Sequence, residues 1–249
     1  MCGRYQLALP GRSLAAYLDA HLGAMSHLSE PTWNAAPSQS LPVVALAPSG
    51  ERVLEMATWG LTPAWARQPG RDPWKPLINA RAETVGTKPA FRTALRQRRV
   101  LVPATGFYEW VGPPGNKAAH AIRVRGDVVD FATGEIGGRA ATITETTVPF
   151  LMAGIAEVWV DSDNVPTLNY AVITTTANEL VHPIHARMPV ILEGEDAQLW
   201  LSTPAEATDL LLELLRPFPT ERMEEWEVPR DVNSAGNDGP HLVTPAGLF

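Results

Sequence analysis

The spacing of apolar residues along the chain predicts one early helix followed by a series of short strands. Residues 11–23 (GRSLAAYLDAHLG) place leucines at helical spacing, with Ser13 as a candidate N-cap and Gly23 as the stop. Further on, short runs rich in valine, isoleucine and aromatic residues predict strands. These runs are LPVVALA, RVLEMATWG, RRVLVPA, HAIRVRG, DVVDFATG, FLMAGIAEVWV and NYAVITT.

The order of the elements predicts the fold class. A basic helix is predicted in KPAFRTALRQRR, and acidic helices are predicted in EDAQLWL and PAEATDLLLELL. Because the strands come in runs and do not alternate strictly with helices, we expect an α+β fold with a largely antiparallel, barrel-like β core flanked by helices. We expect a single domain over residues 1–249, with a surface insertion at residues 134–148.

Composition narrows the setting in which the protein works. The 249 residues are 45% hydrophobic and 19% charged, which is enough to bury a core. Because the sequence has no run of about 18 apolar residues and no basic-then-apolar start, we expect a cytoplasmic protein without a membrane span. One cysteine cannot form an internal disulfide, and a zinc site would need mostly histidine and carboxylate ligands. We therefore expect no metal and no other cofactor.

Charge is distributed unevenly. The formal net charge of −7 argues against a non-specific nucleic-acid binder. Between Arg67 and Arg99, nevertheless, nine Lys/Arg accompany two Asp/Glu, a local balance of +7, whereas twelve Asp/Glu and three Lys/Arg follow from Glu193 onward. A basic surface suited to a polyanion can thus coexist with an acidic total, although a solvated basic face explains the same pattern.

The position of the one cysteine, Cys2, is a chemical signal. Once Met1 is removed, Cys2 carries both an α-amine and a thiol, with ordinary pKa values of about 7.7–8.0 and about 8.5. The thiolate of such a residue can attack an acyl group, or the amine and thiol together can condense with an aldehyde to form a thiazolidine. The alternative is a chance cysteine in a frayed terminus.

Three polar stretches contain further candidates for catalysis. LINARAET sets Asn79, Arg81 and Glu83 on alternate positions, a donor-rich edge able to grip a phosphate or orient a reacting group. ATGFYEW places Glu109 between two aromatic residues, which can raise the pKa of the carboxyl group and suit it to acid/base catalysis. HPIHARMP offers His185 as a proton shuttle near neutral pH. Asn79 as a turn cap and His185 as a satisfied polar group are the structural alternatives.

Proline and tryptophan residues form a second group of candidates. WNAAPSQ contains Pro37 and WGLTPAW contains Trp65, flat side chains of the kind that stack on unpaired bases. Tryptophans more often fill cores, which is the structural alternative. The segment ARQPGRDPW follows directly, so Trp74 competes with Trp65 for a stacking role.

Together these stretches resemble the SRAP family, the SOS response-associated peptidases or abasic site processing proteins. Seven blocks occur in the family's order and cover nearly the whole chain. They are MCGRY, WNAAPSQ, WGLTPAW, INARAET, F…RRVLVPATGFYEW, VITTTAN…HPIHARMPVIL and VNSAGNDGPHLVTP. The resemblance implies the SRAP fold.

The resemblance also implies a sensor of abasic sites in single-stranded DNA. Members of the family trap the aldehyde of the baseless sugar as a thiazolidine DNA–protein crosslink, after autocatalytic removal of the initiator methionine. A protein of this kind is nucleoid-associated when bound to DNA, and replication-fork proteins are candidate partners. We favour a monomer.

Residue roles follow from the same resemblance. Cys2 is implied to be the crosslinking nucleophile, and Asn79 to orient the terminal amine and the sugar. Glu109 is implied to act as acid/base in Met1 removal and imine interconversion, and His185 to handle the proton of deoxyribose ring opening. The residues implied to contact DNA are Arg4 and Arg81 as phosphate clamps, Thr174 as a further backbone contact, and Pro37 with Trp65 or Trp74 as a base wedge.

Other functions use part of the same sequence. N-terminal-nucleophile amidohydrolases of the glutaminase type also begin Met-Cys-Gly, which explains Cys2 but not INARAET, GFYEW or HARMP. A non-catalytic single-strand binding module would use only the basic stretch and the tryptophans. A protease acting on other proteins would use the same Cys, Asn and Glu, whereas the resemblance favours cleavage of Met1 alone.

Overall fold

The computed structural model describes residues 2–23, 29–66, 75–125, 129–130, 146–147, 149–160 and 164–247. The strands in these ranges are β1 (Tyr5–Leu7), β2 (His21–Leu22), β3 (Thr32–Ala35), β4 (Ser40–Leu46), β5 (Arg52–Trp59), β6 (Asn79–Arg81), β7 (Arg99–Ala104), β8 (Gly106–Val111), β9 (Ala118–Val124), β10 (Val129–Asp130), β11 (Thr146–Thr147), β12 (Phe150–Val160), β13 (Pro166–Thr176), β14 (Arg187–Pro189), β15 (Ile191–Leu192) and β16 (Met223–Val228). The α-helices are α1 (Gly11–Tyr17), α2 (Arg92–Gln97) and α3 (Gly194–Ser202), and 3₁₀ helices span Ala205–Leu214, Thr220–Arg222, Arg230–Asn233 and Pro240–Val243.

Five strands close into a barrel. β12 pairs antiparallel with β13 and β7, β7 with β4, and β4 with β5. A parallel pairing of β5 with β13, which sets Trp59 beside Tyr170, completes the ring. The predicted α+β class with a largely antiparallel, barrel-like core flanked by helices is therefore confirmed.

A second sheet, ordered β16-β9-β8-β1-β3, separates two hydrophobic clusters. Side chains alternate along β8: Phe107 packs in the main core, whereas Tyr108 packs in a smaller cluster with Val232 and Leu242 of the C-terminal segment. By the same alternation Glu109 lies on the core side and Trp110 on the side of the C-terminal segment. The sheet thus presents one catalytic candidate to the barrel.

Aromatic residues fill the core beneath the N-terminus. The rings of Tyr5 and Trp59 are 5.1 Å apart, and Trp59 stacks on Tyr170 at 6.4 Å. All three are fully buried, and the hydroxyl groups of Tyr5 and Tyr170 satisfy each other at 2.8 Å. This packing, which such pairs favour, fixes the start of β1 against the barrel.

The first predicted helix is shorter than its leucine pattern. α1 ends at Tyr17, its N-cap is Pro10 and not Ser13, and Asp19 has a positive φ of 48° that ends the helical path. Leu22 lies in β2, which pairs parallel with β5. Strand pairing, a tertiary contact, has overridden helical spacing.

The later helices are also modified relative to their sequence patterns. α2 covers only the middle of the predicted basic helix, and α3 confirms the helix predicted in EDAQLWL. The segment Ala205–Leu214 is a 3₁₀ helix with a kink at Ala207. Most of the predicted insertion at residues 134–148, and most of the run DVVDFATG, lie outside the described residues. Within the described ranges no helix is long and apolar enough to cross a membrane.

Candidate active site

Cys2 lies inside the protein and not on its surface. The residue is fully buried against the main core, directly before β1. Its thiol lies 3.9 Å from the carbonyl oxygen of Arg4, and its own carbonyl accepts a 2.8 Å hydrogen bond from Asn79 Nδ2. These contacts hold Cys2 in a defined position, which a frayed terminus would not do.

Burial controls the ionisation of the Cys2 thiol. Loss of solvent raises the pKa of the thiol well above its ordinary range, and the nearby carboxyl group of Glu109 raises it further. The thiol is therefore protonated at neutral pH in this state. Any chemistry at Cys2 must begin at another atom or must first remove this proton.

Asn79 reaches Cys2 from the barrel side. It begins β6, which pairs parallel with β13 so that Asn79 lies opposite Val172. Asn79 Nδ2 binds Cys2, whereas Asn79 Oδ1 is buried and accepts no hydrogen bond from the described residues. An unsatisfied buried acceptor lowers the stability of the fold by about 1–3 kcal/mol. Asn79 Oδ1 is thus an acceptor next to Cys2 that a bound group can use.

Glu109 and His185 form the acid/base part of the site. Glu109 is 3% exposed, and its Oε1 lies 3.9 Å from Nδ1 of His185. Burial raises the pKa of Glu109, and the charge of a protonated His185 opposes the shift. This is the direction that the flanking aromatic residues predicted, but the cause is the core itself, because Tyr108 and Trp110 pack on the opposite side of β8.

His185 is oriented by the chain that follows it. Its Nδ1 lies 3.0 Å from the backbone nitrogen of Arg187, from which it accepts a hydrogen bond when unprotonated, and 3.2 Å from the carbonyl oxygen of Arg187, to which it donates when protonated. The ring thus offers Glu109 an acceptor nitrogen when neutral and a donor when protonated.

Arg187 belongs to the HPIHARMP stretch, from which the sequence predicted a role only for His185. Its guanidinium pairs with both carboxylate oxygens of Glu83, at 2.5 and 3.0 Å, and donates to the carbonyl of Thr174 at 2.5 Å. The first of these contacts lowers the pKa of Glu83. Arg187 therefore ties the segment after β6 to β13 and β14. The signal that pointed to it was its place in HARMP, two residues after His185.

The three residues predicted to contact the DNA backbone differ in their exposure to solvent. Arg81 is exposed at the end of β6, two residues after Asn79. Arg4 donates instead to Asn34 Oδ1 at 2.7 Å and to the carbonyls of Val232 and Asn233 at 3.0 and 3.4 Å. Thr174 is fully buried, and its carbonyl accepts from the N–H of Ala82 as well as from Arg187. Arg81 is thus the most accessible of the three.

The predicted wedge residues lie in turns. Pro37 is half-buried in the turn between β3 and β4, next to Ser38, which has a positive φ of 74°. Trp65 is 55% exposed in a turn after β5. Trp74 lies outside the described residues. Of the two tryptophans predicted as candidates for base stacking, only Trp65 lies within the described residues, and it is exposed.

The basic residues that the structure describes between positions 75 and 99 differ in their surroundings. Arg98 is ion-paired with Glu157 at 2.6 Å. Arg99 donates to the carbonyls of Leu95, Arg96, Trp200 and Thr203, which end α2 and α3. Arg99 thus joins helix ends and Arg98 pairs with a buried carboxylate, although Arg98 is exposed, as are Lys88, Arg92 and Arg96.

The four catalytic candidates come from four distant segments and converge at one place. Cys2 touches Asn79, Glu109 acts on the Cys2 thiol through its charge, and His185 lies beside Glu109. Within the ranges described, no group of three or more His, Cys, Asp and Glu side chains is arranged to hold a metal ion. The arrangement provides a nucleophile, a hydrogen-bonding amide and an acid/base pair.

The fold and the site define an α+β barrel protein whose candidate active site lies around its second residue, with the buried Cys2 beside Asn79, Glu109 and His185. The family model described as SOS response associated peptidase (SRAP) matches residues 1–235, and the chain belongs to this family.

Relatives and solved structures agree with the family. "Abasic site processing protein YoqW" of Bacillus subtilis is 32% identical over 244 residues, which cover 98% of this chain and 99% of that protein. "Abasic site processing protein HMCES" of Mus musculus is 29% identical over 280 residues, covering 100% of this chain and 77% of the relative. A crystal structure of a protein from Bacteroides thetaiotaomicron matches with a TM-score of 0.80 and 25% identity, over 98% of this chain and 100% of that one.

Proposed function

We propose that the protein processes abasic sites in single-stranded DNA by capturing the sugar aldehyde covalently through Cys2. The observation that carries the proposal is the contact of Cys2 with Asn79 in one buried site that also contains Glu109 and His185. Relatives named for abasic site processing supply the substrate class. The amidohydrolase alternative accounts for Cys2 but gives His185 and Arg81 no part.

Removal of Met1 comes first. Hydrolysis of the Met1–Cys2 peptide bond consumes one water, releases methionine and leaves a free amine on Cys2. Asn79 fixes the main chain of Cys2 through its 2.8 Å hydrogen bond. Glu109 activates the water in its carboxylate form and returns the proton to the departing amine of Cys2.

Condensation with the sugar follows. The neutral amine of Cys2 attacks the aldehyde carbon of the ring-opened sugar and gives a carbinolamine. Protonated Glu109 donates a proton to its hydroxyl group, which leaves as water and produces an imine. The thiol then adds across the C=N bond, with sulfur to carbon and its proton to nitrogen, and closes the thiazolidine ring. One water is lost overall.

The ionisation of the site favours amine attack before thiol attack. Because burial raises the pKa of the thiol, Cys2 holds its S–H proton while the amine reacts. Burial also raises the pKa of Glu109, so a larger share of this carboxyl group is protonated and able to expel water. His185 moves the proton of the ring-opening step, since it lies 3.9 Å from Glu109.

Exposed groups around the site suit a single strand. Arg81 lies two residues from Asn79, where its guanidinium reaches a phosphate next to the captured sugar. Trp65 and Pro37 present surfaces on which unpaired bases stack. An unpaired strand can bend toward a buried site at little unstacking cost, which a duplex cannot do.

The direct test is a denaturing gel of the purified protein mixed with single-stranded DNA that carries one abasic site. We expect a slow, heat-stable band that is absent with an intact base and absent for Cys2→Ala. Reversible binding should persist in Cys2→Ala because the exposed cations remain. An unchanged band from Cys2→Ala would sink the proposed chemistry. Release of ammonia from glutamine by a protein that gives no band would instead support the amidohydrolase.

A further inference from the structure

A shallow cavity lies on the side of β8 opposite Glu109. Its volume is about 280 Å³, and it is lined by Trp110, Gly115, Lys117, Arg230 and Asn233. We call it the Trp110 pocket. The indole of Trp110 is partly exposed and packs against the small C-terminal cluster, so the pocket has one aromatic wall and two cationic residues.

The two cations of the Trp110 pocket are not neutralised by carboxylates. Lys117 is exposed and forms no ion pair within the described part of the chain. Arg230 donates to the neutral amide oxygen of Asn116 at 2.7 Å and likewise forms no ion pair there. Asp231, the neighbour of Arg230 in sequence, is exposed and adds the nearest acidic charge along the chain. An anion entering the pocket therefore meets two cations that are free to pair with it.

A larger cavity of about 400 Å³ near Phe218 provides a contrast. Its arginines are already paired: Arg216 with Asp196 at 3.0 Å, and Arg222 with Glu193 at 2.5 Å. An anion there would have to displace a carboxylate. The distribution of charge thus favours the smaller pocket as an anion site.

The Trp110 pocket is linked through Asn233 to Arg4, one of the residues predicted to contact DNA. Asn233 accepts a 2.6 Å hydrogen bond from Trp110 Nε1 through its side chain, and its carbonyl accepts from Arg4 at 3.4 Å. The carbonyl of Arg4 accepts from the N–H of Tyr108, two residues before Trp110.

We propose that the Trp110 pocket holds an unpaired nucleotide of the same DNA strand, flanking the captured sugar. The base lies against the indole of Trp110, and its phosphate lies between Lys117 and Arg230. Aromatic platforms combined with cations are the means by which proteins hold single strands without reading sequence. This inference rests on the proposed function and places part of the strand on the Arg4 side of the site.

A length series of oligonucleotides tests the pocket. Each carries a tetrahydrofuran in place of the abasic sugar, which has no aldehyde and binds reversibly, and the strand grows by one nucleotide at a time on either side. We expect affinity to rise about tenfold at one step, since stacking of one base contributes roughly this much. The variant Lys117→Gln/Arg230→Gln should lose that step and keep the wild-type affinity for the shortest strand.

Two controls separate the pocket from general charge effects. Arg12→Gln/Arg125→Gln removes the same two charges from exposed positions outside the pocket and should retain the step. A 5-iodouracil at the flanking position should crosslink on irradiation to the peptide that contains Trp110, as identified by mass spectrometry. A step retained in Lys117→Gln/Arg230→Gln, or a crosslink to Trp65 alone, would overturn the proposal.

Two further readouts distinguish the ligand and the parent proposal. Deoxyadenosine monophosphate that binds the pocket in the absence of any length step would identify a free nucleotide as the ligand and overturn the assignment to the DNA strand. Covalent capture of the shortest abasic strand should be equal in wild type and Lys117→Gln/Arg230→Gln. Failure of this capture in both would contradict the proposed function, whereas capture in both without a length step would contradict the Trp110 pocket only.

Discussion

Glu109 is a carboxyl group in the core, where its charged form is costly. The carboxyl group is buried on the core side of β8, and burial raises its pKa. A carboxyl group with a raised pKa keeps its proton to a higher pH than an exposed one, which is the property that the proposed acid role of Glu109 requires.

A pH-dependent gain in stability is expected for Glu109→Gln. The pKa of Glu109 in the folded protein exceeds the unfolded value of about 4.3. Between these two pKa values the folded protein binds more protons than the unfolded chain, so the free energy of unfolding falls as the pH rises toward the folded pKa. Glutamine does not titrate, so the variant should have a higher Tm than wild type at pH 7 and a similar Tm below about pH 4. Thermal unfolding between pH 4 and 8 measures this, on chains whose N-terminus is defined by mass spectrometry.

The same variant reports on Met1. Glu109→Gln should retain Met1, and loss of Met1 from it would assign the cleavage to a cellular aminopeptidase. Glu157→Gln provides the matched control, because Glu157 is also buried but is paired with Arg98 at 2.6 Å. That change should lower Tm at pH 7 and leave Met1 removal intact. A lower Tm for Glu109→Gln at pH 7 would contradict the account of Glu109.

At the scale of elements, one arginine joins two helix ends to the barrel. Arg99 begins β7 and donates to carbonyls at the ends of α2 and α3, groups that have no partner within their own helices. Cationic side chains stabilise such ends because they satisfy the carbonyls and oppose the helix dipole. Arg99 thus belongs to the fold, although it lies in the most basic stretch of the sequence.

Arg99→Gln and Arg92→Gln should therefore separate stability from DNA binding. Arg99→Gln should lower the free energy of unfolding by roughly 2–3 kcal/mol, since several charge-assisted hydrogen bonds are lost, and should leave the salt dependence of DNA binding unchanged. Arg92→Gln, exposed on α2, should change stability by less than about 0.5 kcal/mol.

Arg92→Gln should instead flatten the plot of log affinity against log salt by up to about 0.7, the value for one phosphate contact with a single strand. Denaturant unfolding and titrations at several salt concentrations provide the two measurements. A stable Arg99→Gln protein with weakened, less salt-sensitive binding would place Arg99 on the DNA surface instead.

On the scale of the whole molecule, hydrogen bonds from Asn34 of β3 connect the C-terminal segment to the N-terminal part of the chain. Asn34 is 1% exposed and donates to the carbonyls of Val232, Ser234 and Asn237 at 3.3, 2.9 and 2.8 Å, while its own Oδ1 accepts from Arg4. One side chain thus connects residues some 200 positions apart and holds Arg4 beside the site.

Asn34→Ala should release this connection. The change removes one hydrogen bond from each of three carbonyls and one from the guanidinium of Arg4, and we expect a loss of roughly 2–4 kcal/mol in the free energy of unfolding. Hydrogen exchange of the amides in residues 230–238 should accelerate more than that of β12 and β13. Asn237→Ala is the control, because its backbone contact with Asn34 remains and only an exposed hydrogen bond to Asp231 is lost. Equal exchange throughout the chain would show that Asn34 stabilises the molecule only globally.

The sequence alone determined the parts of this protein that depend on residue type and local order. The position of Cys2 and the seven ordered blocks predicted the family, and the runs of valine and isoleucine predicted a β-rich, barrel-like core. These features can be recognised without a structure for two reasons. A nucleophile must be one of a few residue types, and the runs that form strands are local in sequence. The identity of Asn79, Glu109 and His185 as candidates came from the same source, through their motifs.

Tertiary structure alone decided how those residues are used. Asn79 meets Cys2 across 77 positions and Arg4 meets Val232 across 228, contacts that no local spacing encodes. Leu22 pairs in β2 with β5 and so is not part of the predicted helix. Arg99 donates hydrogen bonds to carbonyls at helix ends and so belongs to the fold. The physical reason is that burial and strand pairing depend on which distant segments pack together. That packing determines the direction of the pKa shift of Glu109, the exposure of Arg81 and the partners of each cation.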